Sequence, residues 1–106
     1  MTTQTALSVG GTLGVLLSNV STAILTTNSL MKKITFHNPG SVILYVCPTL
    51  DINGGALVAG AGQAGNYAIY PGATLTLEGD GVAGSWLGAA ASAGSNPLTI
   101  SLSETL

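Results

Sequence analysis

The residues that could do chemistry are few and widely spaced. Gly60-Ala61-Gly62-Gln63-Ala64-Gly65 has the spacing of a dinucleotide-binding glycine loop, in which backbone N–H groups and a helix N-terminus receive a pyrophosphate. That mechanism needs a strand before the loop and a helix after it. Here the chain continues as Asn66-Tyr67-Ala68-Ile69-Tyr70-Pro71-Gly72, which alternates like a strand and meets a helix breaker, so the glycines read as a surface loop. His37 and Cys47 are the single histidine and the single cysteine. A hydrolytic triad needs nucleophile, histidine and carboxylate to converge, and a zinc site needs three or four ligands at recognisable spacing. Neither pattern is present. His37 shares the polar side of a strand with Thr35 and Lys33, and Cys47 shares the parity of Ile43 and Tyr45 as a small apolar filler.

Glu78 and Asp80 flank a turn and could act as paired carboxylates for acid–base work or, with Asp51, as weak calcium ligands. Calcium takes several oxygens from one compact loop, whereas Glu78-Gly79-Asp80-Gly81 supplies two, and the acids read as solvated turn residues. Trp86, with Tyr45, Tyr67 and Tyr70, could stack on a sugar. With only five aromatic residues in the chain, a core or subunit-interface role for them is the expectation. Asn19-Val20-Ser21 is a glycosylation sequon, and Glu104-Thr105-Leu106 has the form of a carboxylate-terminated peptide ligand. No catalytic, cofactor-binding or metal-binding residue is assigned, no cofactor is implied, and no enzymatic activity is expected.

The background against which these residues stand is unusual. Only Lys32, Lys33, Asp51, Glu78, Asp80 and Glu104 are charged among 106 residues, giving a net charge of −2, where an ordinary soluble domain devotes roughly a quarter to such residues. The surface must therefore consist of hydroxyls, amides, glycine and methyl groups, which suits packing against protein. Two lysines cannot neutralise a run of phosphates, so no nucleic-acid partner is expected. The first 31 residues carry no charge, but Ser8, Gly10, Gly11, Thr12, Gly14, Ser18 and Asn19 interrupt every apolar run short of the ~20 residues a span needs. No basic region opens a leader. Neither a signal peptide nor a membrane segment is expected, which points to folding in a cytoplasm, and one cysteine permits no internal disulfide.

The elements that must position these residues have a period of two. Ile34-Thr35-Phe36-His37, Thr74-Leu75-Thr76-Leu77-Glu78 and Leu98-Thr99-Ile100-Ser101-Leu102-Ser103 each place apolar residues on one face and polar residues on the other, the pattern of half-buried antiparallel strands. Ser41-Val42-Ile43-Leu44-Tyr45-Val46-Cys47 is apolar on both faces. It is expected as a central strand, or as an edge strand inviting a neighbour. Asn38-Pro39-Gly40 reads as a turn reversing the chain between two strands, with Gly40 at positive φ. Pro48, Asn53-Gly54-Gly55, Pro71-Gly72, Gly79-Asp80-Gly81 and Asn96-Pro97 punctuate the rest. About eight short strands follow, near 4–9, 12–18, 22–26, 31–38, 41–47, 66–70, 73–78 and 97–104, with a further piece near 84–89.

The expected fold is a single all-β domain over 1–106, an antiparallel β-sandwich or small jelly roll. Residues 1–11 would form an N-terminal arm and 50–65 a long glycine-rich loop, with 88–96 a second small-residue loop. Ile34, Phe36, Val42, Leu44, Val46, Leu75, Leu77, Leu98, Ile100 and Leu102 are the candidate core. A chain of this length buries roughly 65% of its extended surface and needs neither metal nor disulfide to fold.

Met31-Lys32-Lys33-Ile34-Thr35-Phe36-His37-Asn38-Pro39-Gly40-Ser41-Val42-Ile43-Leu44-Tyr45-Val46, then Tyr70-Pro71-Gly72-Ala73-Thr74-Leu75-Thr76-Leu77 and a closing alternating strand, resembles small virion proteins encoded among the structural genes of tailed bacteriophages. In that group a basic pair opens a strand ending in an Asn-containing turn, and a second strand carries a Val-Tyr-Val-like core. A Pro-Gly or Gly-Glu turn then introduces a Thr/Leu strand. The layout extends over residues 12–104, and the stretches 50–65 and 88–96 are longer than that pattern requires. The resemblance implies a β-sandwich capsid decoration or cement subunit, located in the virion after assembly in the host cytoplasm. Its partners would be the major capsid protein or other virion proteins, with self-association into a homo-oligomer. A neck or tail component and a carbohydrate-binding or host-adhesion module are the alternatives.

Overall fold

The computed structural model describes residues 11–104. Its strands are β1 (Thr12–Leu17), β2 (Thr22–Leu25), β3 (Lys33–His37), β4 (Leu44–Pro48), β5 (Tyr67–Ile69), β6 (Thr74–Glu78), β7 (Trp86–Ala90) and β8 (Asn96–Ser103). One turn of 3-10 helix, Asp80–Ala83, separates β6 from β7. The strand expected near 4–9, and all of the expected arm 1–11 except Gly11, lie outside the described residues.

Two four-stranded sheets form, ordered β1-β8-β3-β6 and β2-β7-β4-β5, with every pairing antiparallel. The pairs nest: β1 with β8, β2 with β7, β3 with β6 and β4 with β5, as though one long hairpin had been folded across itself. Pairings of β3 with β8 and of β4 with β7 complete each sheet. This strand order is that of a jelly roll, the more specific of the two expected architectures.

Alternation decides what enters the core. Ile34 and Phe36 of β3 and Leu98 and Ile100 of β8 are buried against Leu44, Val46, Ile69 and Trp86 of the facing sheet. Each such side chain contributes about 1.5–3 kcal/mol on leaving water. Val42, Leu75, Leu77 and Leu102 pack at its margins, only partly buried. Leu17, Ile24, Met31 and Val82 complete it; they stand in segments whose glycine and hydroxyl neighbours blur the period.

Four expectations are corrected. The strand expected over 41–47 begins only at Leu44, and of the two places expected for it the edge is overturned and the central one holds: β4 lies between β7 and β5. Its outward Cys47 is apolar because the chain covers it itself. Residues 50–65 form the long glycine-rich loop expected, but not one held apart from the core: they fold back over the second sheet, where Ala59 and the half-buried Leu57 pack on Cys47, Ala89 and Leu87 as a small second core. Within 88–96, Gly88, Ala89 and Ala90 are buried strand residues of β7, and only 91–95 is a loop. Their smallness is a packing requirement, since a Cβ on Gly88 would meet Leu17 at 3.1 Å and Ile24 at 3.2 Å.

The fourth correction concerns Asn38-Pro39-Gly40. The segment does not fold β3 back beside β4; it carries the chain from one sheet to the other, and the φ of Gly40 is not positive. Asn38 makes the corner, and it is the one buried polar residue among those described. Its Nδ2 donates to Val42 O and to Ile69 O, both at 2.8 Å, and its Oδ1 accepts from Gly40 N at 3.0 Å. Its main chain bonds the opposite crossing too, accepting from Gly72 N and donating to Ala73 O. There Ala73 N bonds Tyr70 O and Gly72 has φ +79°, a type II turn with proline and glycine where the geometry demands them.

Candidate functional site

The structure disperses the residues that could do chemistry. Gly60–Gly65 lies on the stretch that roofs the second sheet, and the chain enters β5 afterwards, not a helix. The Asn66 side chain closes the loop, accepting from Gly60 N and donating to Val58 O and Ala64 O. Gly62 and Gly65 take φ of +74° and +80°, so these glycines serve the turns of the roof. Ala59 N reaches Ser21 Oγ at 3.0 Å, pinning the roof to the connection after β1.

Cys47 is fully buried beneath that roof, and burial pushes its thiol pKa above the ordinary value. A protonated, inaccessible sulfur is a filler, not a nucleophile. Trp86 lies in the core at 3% exposure, its Nε1 donating to Val82 O at 3.1 Å. Its ring packs 5.6 Å from Phe36 and 6.5 Å from Tyr67, centroid to centroid. It offers no face to a sugar. Tyr67 and Tyr70 are exposed at opposite ends of β5.

The acids are engaged singly. Lys32 Nζ donates to Asp80 Oδ1 at 2.7 Å, and that hydrogen bond, reinforced by the lysine's charge, holds the Asp80 carboxyl below its ordinary pKa. Lys33 Nζ stands 3.9 Å from Glu78. Asp51 Oδ1 accepts from Asn53 N and Gly55 N, both at 2.8 Å, shaping its own turn. No group of three or more potential metal ligands occurs among the described residues. Asn19 of the sequon is exposed beside β1, and Thr105 and Leu106 lie outside the described residues.

The strands do assemble a surface that the sequence displays only in pieces. On the outward face of the first sheet the register aligns Thr12, Ser101, Thr35 and Thr76 in one row across four strands, and Thr99, His37 and Thr74 in the next. Rows stand about 6.8 Å apart and strands about 4.8 Å apart. Thr35 and Thr76 share a hydrogen bond at 3.3 Å, and His37 Nδ1 meets Thr74 Oγ1 at 2.9 Å. His37 is thus one member of a hydroxyl lattice, with neither an acid nor a thiol as its partner there. The alternation of each strand was readable singly, but the lattice depends on the pairing order.

An apolar cavity of about 110 Å³ opens at the end of the sandwich where β3 begins, lined by Leu25, Met31, Ile34, Val82 and Leu102, with Asn28 at its polar margin. It holds no titratable group. Comparison with protein-family models, with curated proteins and with solved structures finds no match for this chain.

Proposed function

We propose that this chain is a non-enzymatic structural subunit of a virion, a capsid decoration or cement protein that stabilises the particle through contacts with coat protein or other virion proteins. The observation that carries the proposal is the character of the outer surface. One sheet faces outward with hydroxyls in register, and the other is roofed by the chain itself. Threonine and serine surfaces bury at low side-chain entropy cost, and with few charges there is little ionic desolvation to offset. Jelly rolls serve as both capsid and lectin domains, so the fold leaves the choice open and the surface must inform it. Of the aromatic groups a sugar site would stack on, Trp86 is buried, and Tyr67 and Tyr70 stand exposed at opposite ends of β5.

The test is quantitative peptide mass spectrometry on particles purified from the source, expressed as copies of this chain per copy of the major coat protein. A ratio of order one means a lattice-wide decoration, and a few hundredths a neck or tail component. Absence from the particles refutes the virion reading.

A further inference from the structure

Among the described residues the edges of the two sheets are β1, β6, β2 and β5, and three of the four are blunted. β2 is four residues long and its pairing slips between Ala23 and Leu25. β5 is three residues long with Pro71 close behind it, and β6 ends in Glu78 with Asp80 beyond. Short length, bulges, proline and charge are the devices that keep an edge from pairing with another chain. β1 has none of them. It is the longest of the four, Thr-Leu-Gly-Val-Leu-Leu, and Thr12, Leu13, Gly14 and Leu16 are exposed along it.

The hydrogen-bond phase fixes which groups of β1 face outward. Leu102 N donates to Gly11 O at 2.8 Å, and the Asn96 side chain reaches Leu17 O at 3.0 Å. With the register running from Thr12 opposite Ser101 to Leu17 opposite Asn96, the odd-numbered residues spend their main-chain groups on β8. Pro97, which has no N–H to give, stands opposite Leu16 in keeping with this phase. Thr12, Gly14 and Leu16 therefore turn their N–H and C=O groups to the free edge. Gly14 adds a second sign. A Cβ there would meet nothing within 4 Å and its φ is not positive, so nothing inside the fold asks for glycine, in contrast to Gly88. A strand glycine without an internal reason marks a place where another backbone comes close.

We infer that β1 is the self-association edge of this protein, and that its partner is β1 of a second copy, paired antiparallel across a two-fold axis at Gly14. The edge is self-complementary about that residue. Gly14 faces Gly14 of the second copy, and Thr12 of each copy faces Leu16 of the other, so all three pairs exchange both of their main-chain hydrogen bonds. Within β1 this register alone uses all three residues. On the inner face Leu13, 40% exposed although its parity points it towards the core, comes beside Val15 of the other copy, which packs at the core's margin. The two cores then join. On the outer face the glycine pair leaves room for Leu16, 68% exposed, to fold over the seam. No charge is desolvated, and the two first sheets become one of order β6-β3-β8-β1-β1-β8-β3-β6.

The test follows the full-length protein over a concentration series by analytical ultracentrifugation and by amide hydrogen exchange. The parent is expected to pass from monomer to dimer as concentration rises. Over the same range the amides of Thr12, Gly14 and Leu16 should gain about tenfold protection or more, while those of Leu13, Val15 and Leu17 are protected throughout. Gly14→Pro removes an outward N–H and no bond to β8, and should weaken the dimer about tenfold or more, with thermal melts checking its fold. Gly14→Cys brings two thiols to a Cα separation of about 5.5 Å, within disulfide range. Mild oxidation should link its copies about tenfold faster than those of Ala68→Cys, on the exposed edge β5; Cys47 is buried and does not compete. A parent that stays monomeric at every concentration overturns the assignment. Protection of Thr12, Gly14 and Leu16 already in the dilute monomer overturns it too, because another segment of the same chain then covers the edge. Equal cross-linking rates, or a dimer that survives in a folded Gly14→Pro variant, place self-association elsewhere and refute it. No readout uses particles, so failure here leaves the virion reading standing, and the reverse.

Discussion

Asn38→Ala should be among the most damaging single substitutions in this protein. The side chain makes three hydrogen bonds, at 2.8, 2.8 and 3.0 Å, at a position with no solvent exposure. Truncation leaves Ile69 O unpaired in a buried site, at about 1–3 kcal/mol, and strips Val42 O and Gly40 N in part-buried sites, at about 0.5–1.5 kcal/mol each where water can partly replace the amide. The expected loss is roughly 2–6 kcal/mol, a large part of the 5–15 kcal/mol that holds an ordinary domain together. Asn38→Asp sharpens the argument because it keeps the shape and removes the donors. An ionised carboxylate there faces two carbonyl oxygens in a desolvated site, so its folded pKa lies above the unfolded value of about 3.9. The sign follows: the penalty is small below about pH 3.9 and grows as pH rises towards the folded pKa. Urea unfolding followed by the fluorescence of Trp86, the sole tryptophan, measures both variants against the parent at each pH. A loss under about 1 kcal/mol for Asn38→Ala, or an Asn38→Asp deficit that is flat between pH 4 and 7, would refute the reasoning.

Three further predictions use other parts of the fold. Gly88→Ala should cost about 1–3 kcal/mol by overpacking against Leu17 and Ile24, whereas Gly84→Ala, with open space around its Cβ and φ −73°, should stabilise by about 0.4–1 kcal/mol; urea midpoints decide both. Cys47 should resist a disulfide reagent at pH 8 in the native protein and react on unfolding, and Gly65→Val, which combines φ +80° with a Cβ 3.0 Å from Leu57, should loosen the roof and raise its labelling rate. The Lys32–Asp80 pair depresses the folded pKa of Asp80, so its contribution is present above the unfolded pKa and lost as pH falls through the folded one. Because the pair is exposed, a double-mutant cycle should show a small coupling that vanishes in molar salt.

What was legible in the sequence was whatever a single strand encodes. Ile34 and Phe36, or Leu98 and Ile100, declare their face by alternation alone, and Pro71-Gly72 declares its turn. What was not legible depends on partners distant in the chain. Asn38 has the composition of a turn residue, and nothing nearby reveals that its amide ties Val42 to Ile69. Gly88, Ala89 and Ala90 resemble loop residues because their smallness answers to Leu17, Ile24 and the roofing residues 57–59. The hydroxyl rows of the first sheet are invisible for the same reason, since Thr12, Thr35, Thr76 and Ser101 are scattered from position 12 to position 101, and only the pairing order gathers them.

That order also governs when the protein can exist during its synthesis. β8 is flanked by β1 and β3, and β1 has no other strand neighbour among the described residues. Until residues 96–103 have left the ribosome, the first sheet is a detached β1 and a separate β3–β6 pair, and half of the core has no wall. Contacts of such long sequence separation make folding slow. A chain interrupted anywhere before β8 therefore cannot close its first sheet. Synthesis through β8 becomes a condition of the shape of the fold.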